Sequence, residues 1–348
     1  MTLIDRRQFL HRSGLGLLGA GAVAVGGSSL LAACSSASQN NAGSLTALTL
    51  QAAWIADAEF SGYFIADTKG YYRQHQINIT ITPGGPNVTP EQVIAAGRAQ
   101  VGLSSADTIT AAKNNGAPLV IIGTQYQKNP LGILSLKKSN INTPKDLVGK
   151  TLGVPPGSTD QITAFLTVNH IDPKSVNTVS YGSDPTPVAN GSVDAAVAFV
   201  TTDPFLLQEK GFETSTFLLA DYNYNIYNDC VFVTQDTLKN QRPNLVNFLR
   251  ASILGWQDNL ADPHYVVPLI TDNYGKSLGL SADSQKFQNL AQIPLMQSPA
   301  THAHGLFWMD DAGIQVNMDT LTAGHFSPDK SIFDVSVLQE VYNGANRL

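Results

Sequence analysis

Asp57 and Glu59 share a short loop that follows Trp54. Ionised carboxylates are pure hydrogen-bond acceptors. The face of a Trp stacks on a flat ring and gains more if that ring is electron-poor or cationic. Side by side, these types suit a nitrogen heterocycle that brings N–H donors. The competing assignments are a helix cap for Asp57, a solvated Glu59 and a core Trp54. Gly84 and Gly85, inside Pro83-Gly84-Gly85-Pro86, either let the backbone approach a ligand or make a tight turn. Ser104 and Ser105 close an apolar strand just before Asp107, which is as well suited to capping a helix. Ser158 and Thr159 follow Gly157 at a helix start, where hydroxyls and N–H groups can be presented. Thr201, Thr202 and Asp203 end another apolar strand, and Tyr222, Tyr224 and Tyr227 are candidates for an aromatic wall. No Ser-His-Asp spacing or phosphate-binding loop is present, so no catalytic residue is expected. His302-Ala303-His304, with His325 distant, lacks the matched carboxylates of a metal site, so no metal is expected.

The elements that must position these groups follow from hydrophobic period and turn residues. Strands are expected over Leu45 to Ala53, Ile77 to Thr82 and Val101 to Leu103, with helices after Gly62 and Pro90. That is a β-α-β-α-β unit, and its loops after strand ends hold Trp54, Asp57, Glu59, the Gly pair and the Ser pair. In open α/β sheets such loops are where ligands bind. A helix from Thr108 to Asn115 and a wholly apolar strand, Pro118 to Gly123, continue the pattern and predict a parallel sheet with crossover helices. A second α/β unit follows. Its strands are Leu131 to Leu136, Gly149 to Val154, Val176 to Tyr181 and Ala195 to Phe199, with Thr143 and Pro144 opening a short capped helix. Beyond the Cys230 strand the chain is mainly helical. Leu245, Phe248, Leu249, Ile253 and Trp256 fall at helical spacing, and this tail is expected to pack on the first lobe. The chain is expected to cross between lobes near residues 125–129 and 224–236.

The 348 residues are enough for two domains or one large one. A 43% hydrophobic content with 14% charged residues supplies a substantial core. The net charge is -6 and no basic run follows the N-terminus, which excludes the footprint of a nucleic-acid binder. At the N-terminus Arg6, Arg7 and Arg12 precede an apolar stretch from Gly14 to Ala33. That is the plan of an export signal. Arg6-Arg7-Gln8-Phe9-Leu10 matches the twin-arginine pattern. Leu31-Ala32-Ala33-Cys34 has the form of a bacterial lipobox, with Cys34 the lipidated first residue of the mature chain. Lipidation of Cys34 leaves Cys230 without a disulfide partner, and its apolar strand makes it a buried core thiol. The expected organisation is a signal over 1–33, a lipidated Cys and tether over 34–44, lobe 1 over 45–128, lobe 2 over 129–232, and completion of lobe 1 over 233–348.

Several runs combine into a recognisable set. They are Trp54, Gly62-Tyr63, Ala66, Lys69-Gly70-Tyr71-Tyr72, Pro83-Gly84-Gly85-Pro86, Gly97-Arg98-Ala99-Gln100-Val101-Gly102, Ala106-Asp107, Pro144-Lys145-Asp146-Leu147-Val148-Gly149-Lys150-Thr151-Leu152-Gly153-Val154 and Asp194-Ala195-Ala196. The set resembles the bacterial ABC-transporter solute-binding lipoproteins of the nitrate/sulfonate/taurine and thiamine-pyrimidine-precursor group. It covers most of the chain from Trp54 to about Thr237. The resemblance implies a two-lobed α/β periplasmic-binding-protein type II fold that clamps a small molecule in its cleft. It also implies permease and ATPase subunits as partners, a monomer, and an exported chain held at the membrane by the lipid on Cys34. The acidic, aromatic loop points to a neutral or amine-bearing aromatic, for which the resemblance implies a thiamine pyrimidine precursor, with riboflavin close behind. Nitrate, sulfonate or taurine would call for cations or a concentration of N–H donors. A lipoprotein sensor or adhesin on the same fold is another class. The group also includes pyridoxal-dependent enzymes that build the pyrimidine from their own histidine. The resemblance would place His, Lys and His of those enzymes at Phe60, Ser104 and Thr108, and a cysteine cluster around Cys230. A Schiff base needs the Lys, so the expectation is no cofactor and no enzymatic activity.

Overall fold

Ile77-Asn78-Ile79-Thr80-Ile81-Thr82 alternates apolar and polar side chains, as a strand with one buried face must. In the computed structural model these residues form a strand with those bounds. The structure describes residues 45–155, 158–182 and 184–348. The expected export signal, Cys34 and the whole of the expected tether lie outside the described residues. In chain order the strands are β1 (Thr46–Gln51), β2 (Ile77–Thr82), β3 (Val101–Ser104), β4 (Leu119–Tyr126), β5 (Leu131–Leu136), β6 (Thr151–Val154), β7 (Asn177–Ser180), β8 (Ala195–Phe199), β9 (Thr214–Leu218) and β10 (Asn228–Thr234).

They make two sheets, ordered β2-β1-β3-β10-β4 and β7-β6-β8-β5-β9. β1 runs parallel to β2 and β3, and β6 runs parallel to β7 and β8. The expected parallel first sheet is interrupted. β10 lies between β3 and β4 and is antiparallel to both. β5 holds the same place in the second sheet, antiparallel to β8 and β9. Each reversed strand is the first to form after the chain changes sheets, so each sheet is completed by a strand arriving from the other. The two sheets therefore repeat one topology with no repeat in the sequence. β9 was not foreseen, because Thr214-Ser215-Thr216-Phe217-Leu218 is a half-exposed edge strand with little apolar alternation. The lobe boundary at residue 232 also shifts. β10 is paired in the first sheet from Asn228, so the return crossing lies before it.

The two crossings are tied to each other by asparagines. Asn129 N–H donates to Asn225 Oδ1 at 3.1 Å, and Asn225 Nδ2 donates to the Gln127 carbonyl at 3.1 Å. Asn228 Nδ2 reaches Asn129 Oδ1 at 3.3 Å. Side-chain amides can follow a small rotation of the backbone without leaving it unpaired, which suits a hinge.

The helical tail packs on the first sheet through the Arg242–Ala261 helix, which crosses the Ser61–Thr68 helix. Two glycines make the crossing possible. A Cβ on Gly255 would lie 2.0 Å from the Gly62 carbonyl oxygen, and one on Gly62 would lie 2.2 Å from the Trp256 ring. Phe248 then stacks on both Tyr63 and Tyr72, at 6.4 and 5.8 Å. This crossing fixes where the Ser61–Thr68 helix begins, and the Asp57–Glu59 loop leads straight into it.

Candidate functional site

Strand direction puts the candidate residues on one edge of each sheet. The carboxyl ends of β1, β2, β3 and β4 and the amino end of β10 share an edge, with Cys230 opposite Ser104 and Asn228 opposite Tyr126. After β1, Asp57 caps a short 3-10 turn, Ala58–Phe60, by accepting the Glu59 N–H at 3.0 Å. The cap expected for Asp57 is thus real, yet the residue is not on the surface. Asp57, Glu59 and the turn are all buried. Trp54 is half-buried above the first core, and its carbonyl accepts the Gly84 N–H at 2.6 Å. That bond ties the loop after β1 to the loop after β2. A Cβ on Gly84 would meet the Ala52 and Ala53 carbonyls at 2.5 Å, so Gly84 is there for backbone packing. Gly85, at φ +142°, holds a conformation that only glycine adopts freely.

The turn is held from behind by a row of amides that the sequence reading passed over. Gln285, Gln288 and Gln292 are buried on the Ala282–Gln292 helix. Gln285 Oε1 accepts the Ala58 N–H at 2.8 Å, and Gln292 Nε2 donates to the Ala58 carbonyl at 2.5 Å. Tyr126 OH donates to Gln292 Oε1 at 2.7 Å. Their i, i+3, i+7 spacing was the available signal. It marks one helix face, and buried amides on one face imply a polar partner.

A second residue was missed altogether. Asp229 opens β10 with φ +45°, 1% exposed, beside the Asp57–Glu59 turn. Its carboxylate oxygens meet no N–H or hydroxyl donor, and its one side-chain partner is another acid, the Glu59 carboxyl. Burial raises the Glu59 carboxyl well above the carboxylate range, and the charges of Asp229 and Asp57 raise it further. Burial likewise raises Asp229. It pushes Asp57 up to about 6 against the opposing pull of Gln288 and the turn's N–H groups. The groups acting on these three acids are burial, one another and neutral donors; no Lys or Arg is among them.

Ser104 and Ser105 end β3 as expected, but their hydroxyls are engaged. Ser104 Oγ donates to Glu91 Oε1, and Thr108 Oγ1 donates to the same oxygen at 2.7 Å. Ser105 Oγ donates to Asp107 Oδ1. The other Asp107 oxygen accepts Gln161 Nε2 at 2.9 Å. Gln161 belongs to the second lobe's Thr159–Val168 helix, so this bond spans the cleft. Phe205, stacked on Phe287 at 5.0 Å, spans it again.

The remaining second-lobe candidates are less engaged with the first. Ser158 is half-buried at the helix start and caps it with backbone only, while Thr159 is exposed. Thr201 is buried. Asp203 accepts the Phe199 N–H and the Thr202 hydroxyl, both at 3.2 Å, and burial raises it to about 6. Those bonds serve its own turn. Among the described residues no hydrogen bond joins Ser158, Thr159, Thr201 or Asp203 to the first lobe. Tyr222, Tyr224 and Tyr227 do not form one wall. They pack separately, on Phe217, Phe165 and Phe333.

The family described as NMT1/THI5 like matches residues 57–265 of the chain. The chain is 26% identical over 275 residues to the riboflavin-binding protein RibY of Chloroflexus aurantiacus, covering 76% of this chain and 77% of that protein. It is 29% identical over 217 residues to the 4-amino-5-hydroxymethyl-2-methylpyrimidine phosphate synthase of Legionella pneumophila, covering 60% of this chain and 67% of that one. Among solved structures, the periplasmic aliphatic sulphonate binding protein SsuA from Escherichia coli aligns with a TM-score of 0.59 at 17% identity, over 85% of this chain and 99% of that chain. That likeness gives the fold, the α/β periplasmic-binding-protein architecture. The synthase corrects one expectation. Absence of enzymatic activity was expected from the resemblance, but a relative of this chain is named as an enzyme. The matching relatives include both binding proteins and enzymes, so the expectation does not stand.

Proposed function

The chain belongs to the NMT1/THI5-like family, and from that premise we propose that it is the solute-binding component of an ABC importer. It holds a flat nitrogen heterocycle between its lobes, with a thiamine pyrimidine precursor as the first candidate. The observation that carries this reading is the buried turn beside Trp54, where Asp57 and Glu59 stand with only burial, carboxyls and neutral donors acting on them. Such a place favours N–H donors over anions, because an anion would add like charge to a region of low dielectric. Riboflavin is the second candidate, on the strength of the identity to RibY. Hinge closure about the asparagine-tied crossings, followed by docking on a permease, is the working cycle. Trp54, Gly84 and Gly85 shape the first-lobe wall of the site. Ser104, Ser105, Ser158, Thr159, Thr201 and Asp203 line its edges, mostly through the turns they hold.

The test is a thermal-shift panel read beside calorimetry, with 4-amino-5-hydroxymethyl-2-methylpyrimidine, thiamine, riboflavin, nitrate, taurine and an alkanesulfonate. A ligand at about 100 times its Kd stabilises by about 2.7 kcal/mol, and a heterocycle is expected to do so while the anions do not. Trp54→Ala is expected to reduce that shift. Chromatography of the ligand after incubation shows whether it is returned unchanged or converted. A shift with the anions alone would sink the reading.

Export by a twin-arginine-like signal and anchoring through diacylglycerol on Cys34 complete the proposal. Cys34→Ala is expected to move the protein from the membrane to the soluble extracytoplasmic fraction. Retention of the variant in the membrane fraction would rule the lipid anchor out.

A further inference from the structure

Buried polar atoms are almost always paired, and an unpaired one in a native protein calls for a reason. Among the described residues Gln125 Oε1 is buried without a partner, and the Asp229 carboxylate oxygens meet no donor apart from the neighbouring acid Glu59, while Tyr63 OH and Trp256 Nε1 have each other. These belong to one neighbourhood. Gln125 Nε2 donates to the Glu59 carbonyl at 2.8 Å, which sets its free oxygen beside the acidic turn. Tyr63 feels the charge of Asp229, and its ring meets Trp256 edge to face at 6.0 Å. Gln125 is 1% exposed and Tyr63 and Trp256 are fully buried, so bulk water does not serve these atoms. Asp229 is also held in the left-handed region at φ +45°, a strain of about 1 kcal/mol or more for a residue other than glycine. A strained carboxyl whose one side-chain partner is another acid, beside an unpaired amide oxygen, is what a binding edge looks like before its ligand arrives.

We propose that Asp229 is the ligand anchor of this site. Its carboxyl pairs with a ligand edge that carries an N–H donor next to an acceptor, either a ring nitrogen or a ring carbonyl, and one proton is held within the pair. An aminopyrimidine offers that edge as an amino group beside a ring nitrogen. A flavin offers it as a ring N–H beside a carbonyl. With a ring nitrogen, the proton sits on the carboxyl or on the nitrogen, and the two hydrogen bonds are the same in number either way. With a carbonyl, the carboxyl must hold it. Gln125 Oε1 accepts a further N–H. The titratable groups facing Asp229 are Glu59 and Asp57 from the turn, Tyr63 from the Ser61–Thr68 helix, Tyr126 from β4 and Cys230 from β10. Glu59, the side-chain partner of Asp229, is the group that competes for the shared proton, and a ligand edge must displace it from the Asp229 carboxyl. This deepens the proposed function and rests on it, since it takes the same site to be the ligand site.

The test uses the full mature chain and titrates 4-amino-5-hydroxymethyl-2-methylpyrimidine and riboflavin over about pH 5.5 to 8.5, with Asp229→Asn and Asp229→Ala beside the wild type. An Asn side chain presents one donor and one acceptor at any pH, as a protonated carboxyl does. The wild type is expected to lose affinity as pH rises, approaching tenfold per unit once the pair's proton is lost. Asp229→Asn is expected to bind within a few-fold of the wild type at low pH and to lose less affinity per pH unit than the wild type, the remaining dependence being that of Asp57 and Glu59. Asp229→Ala is expected to bind roughly a hundredfold more weakly, because the ligand edge loses both partners. Circular dichroism and thermal midpoints check that both variants fold. Wild-type affinity in Asp229→Ala overturns the anchor and leaves the importer reading intact. An Asp229→Asn profile as steep as that of the wild type places the proton elsewhere and overturns the shared pair. No binding of either probe to the wild type defeats the proposed function and the anchor together.

Discussion

Gly255→Ala is expected to destabilise the protein by at least about 3 kcal/mol, at the upper end of what an added methyl does in a packed core. The new Cβ would lie 2.0 Å from the Gly62 carbonyl oxygen and 2.8 Å from the Ala66 N and Cβ. The first obstacle is backbone, so no side-chain rotation relieves it, and the two helices must part. Gly62→Ala is expected to be comparable, since its Cβ would enter the Trp256 ring. The consequence extends to the site. The Ser61–Thr68 helix begins directly after the Asp57–Glu59 turn, so parting the helices moves the turn away from Asp229. Denaturant unfolding gives the stability change, and titration with whichever ligand the panel identifies gives the second. An unchanged midpoint in Gly255→Ala would mean that the helices are not packed this closely.

The second large effect is in pH. Asp57 is raised from 3.8 to about 6 by burial, and Glu59 and Asp229 are raised with it. A carboxyl whose folded pKa lies above its unfolded value binds more protons in the folded chain. Its stability contribution is therefore full below about pH 4 and is lost as pH rises through the folded value. A shift of about two units is worth about 3 kcal/mol for one buried group. The unliganded protein is thus expected to lose a few kcal/mol of stability from this cluster between about pH 4 and pH 7, the limits set by the unfolded carboxylates and by Asp229 at about 7. Asp229→Asn removes one titrating member and lowers the like-charge pressure on Glu59. It is expected to raise stability at pH 8 and to flatten the curve. Equilibrium unfolding at several pH values, in the absence of ligand, reads both. A wild-type curve that rises between those limits would mean that the cluster is solvated or paired with a cation.

The folding pattern was legible wherever it is local. The alternation in Ile77–Thr82 gave β2 its bounds, the Pro90 start gave the following helix, and the apolar run up to Gly123 marks β4, which is buried throughout. Thr143 and Pro144 open their short helix with a capping box, as their types predict. Cys230 is buried in its strand. The candidate loops after β1, β2 and β3 share one edge because strand direction alone requires it. What a loop residue does once there was less legible. Ser104 and Ser105 read as hydroxyls on offer, but Glu91 and Asp107 take them. Asp203 read as facing a cleft and instead caps its own turn.

The sequence by itself determined every strand but β9, most of the helices and the family, because period, caps and turn residues act between near neighbours. The tertiary structure alone decided that β10 enters the first sheet between β3 and β4, since that slot is filled by a strand about a hundred residues farther along the chain. Asp229 carries no local mark of its role. It is one acid in an apolar run, and it becomes the third member of a buried acidic site only when β10 docks antiparallel beside β3 and brings it to the Asp57–Glu59 turn. Burial and the absence of a donor are properties of that meeting, and no window along the chain contains both sides of it.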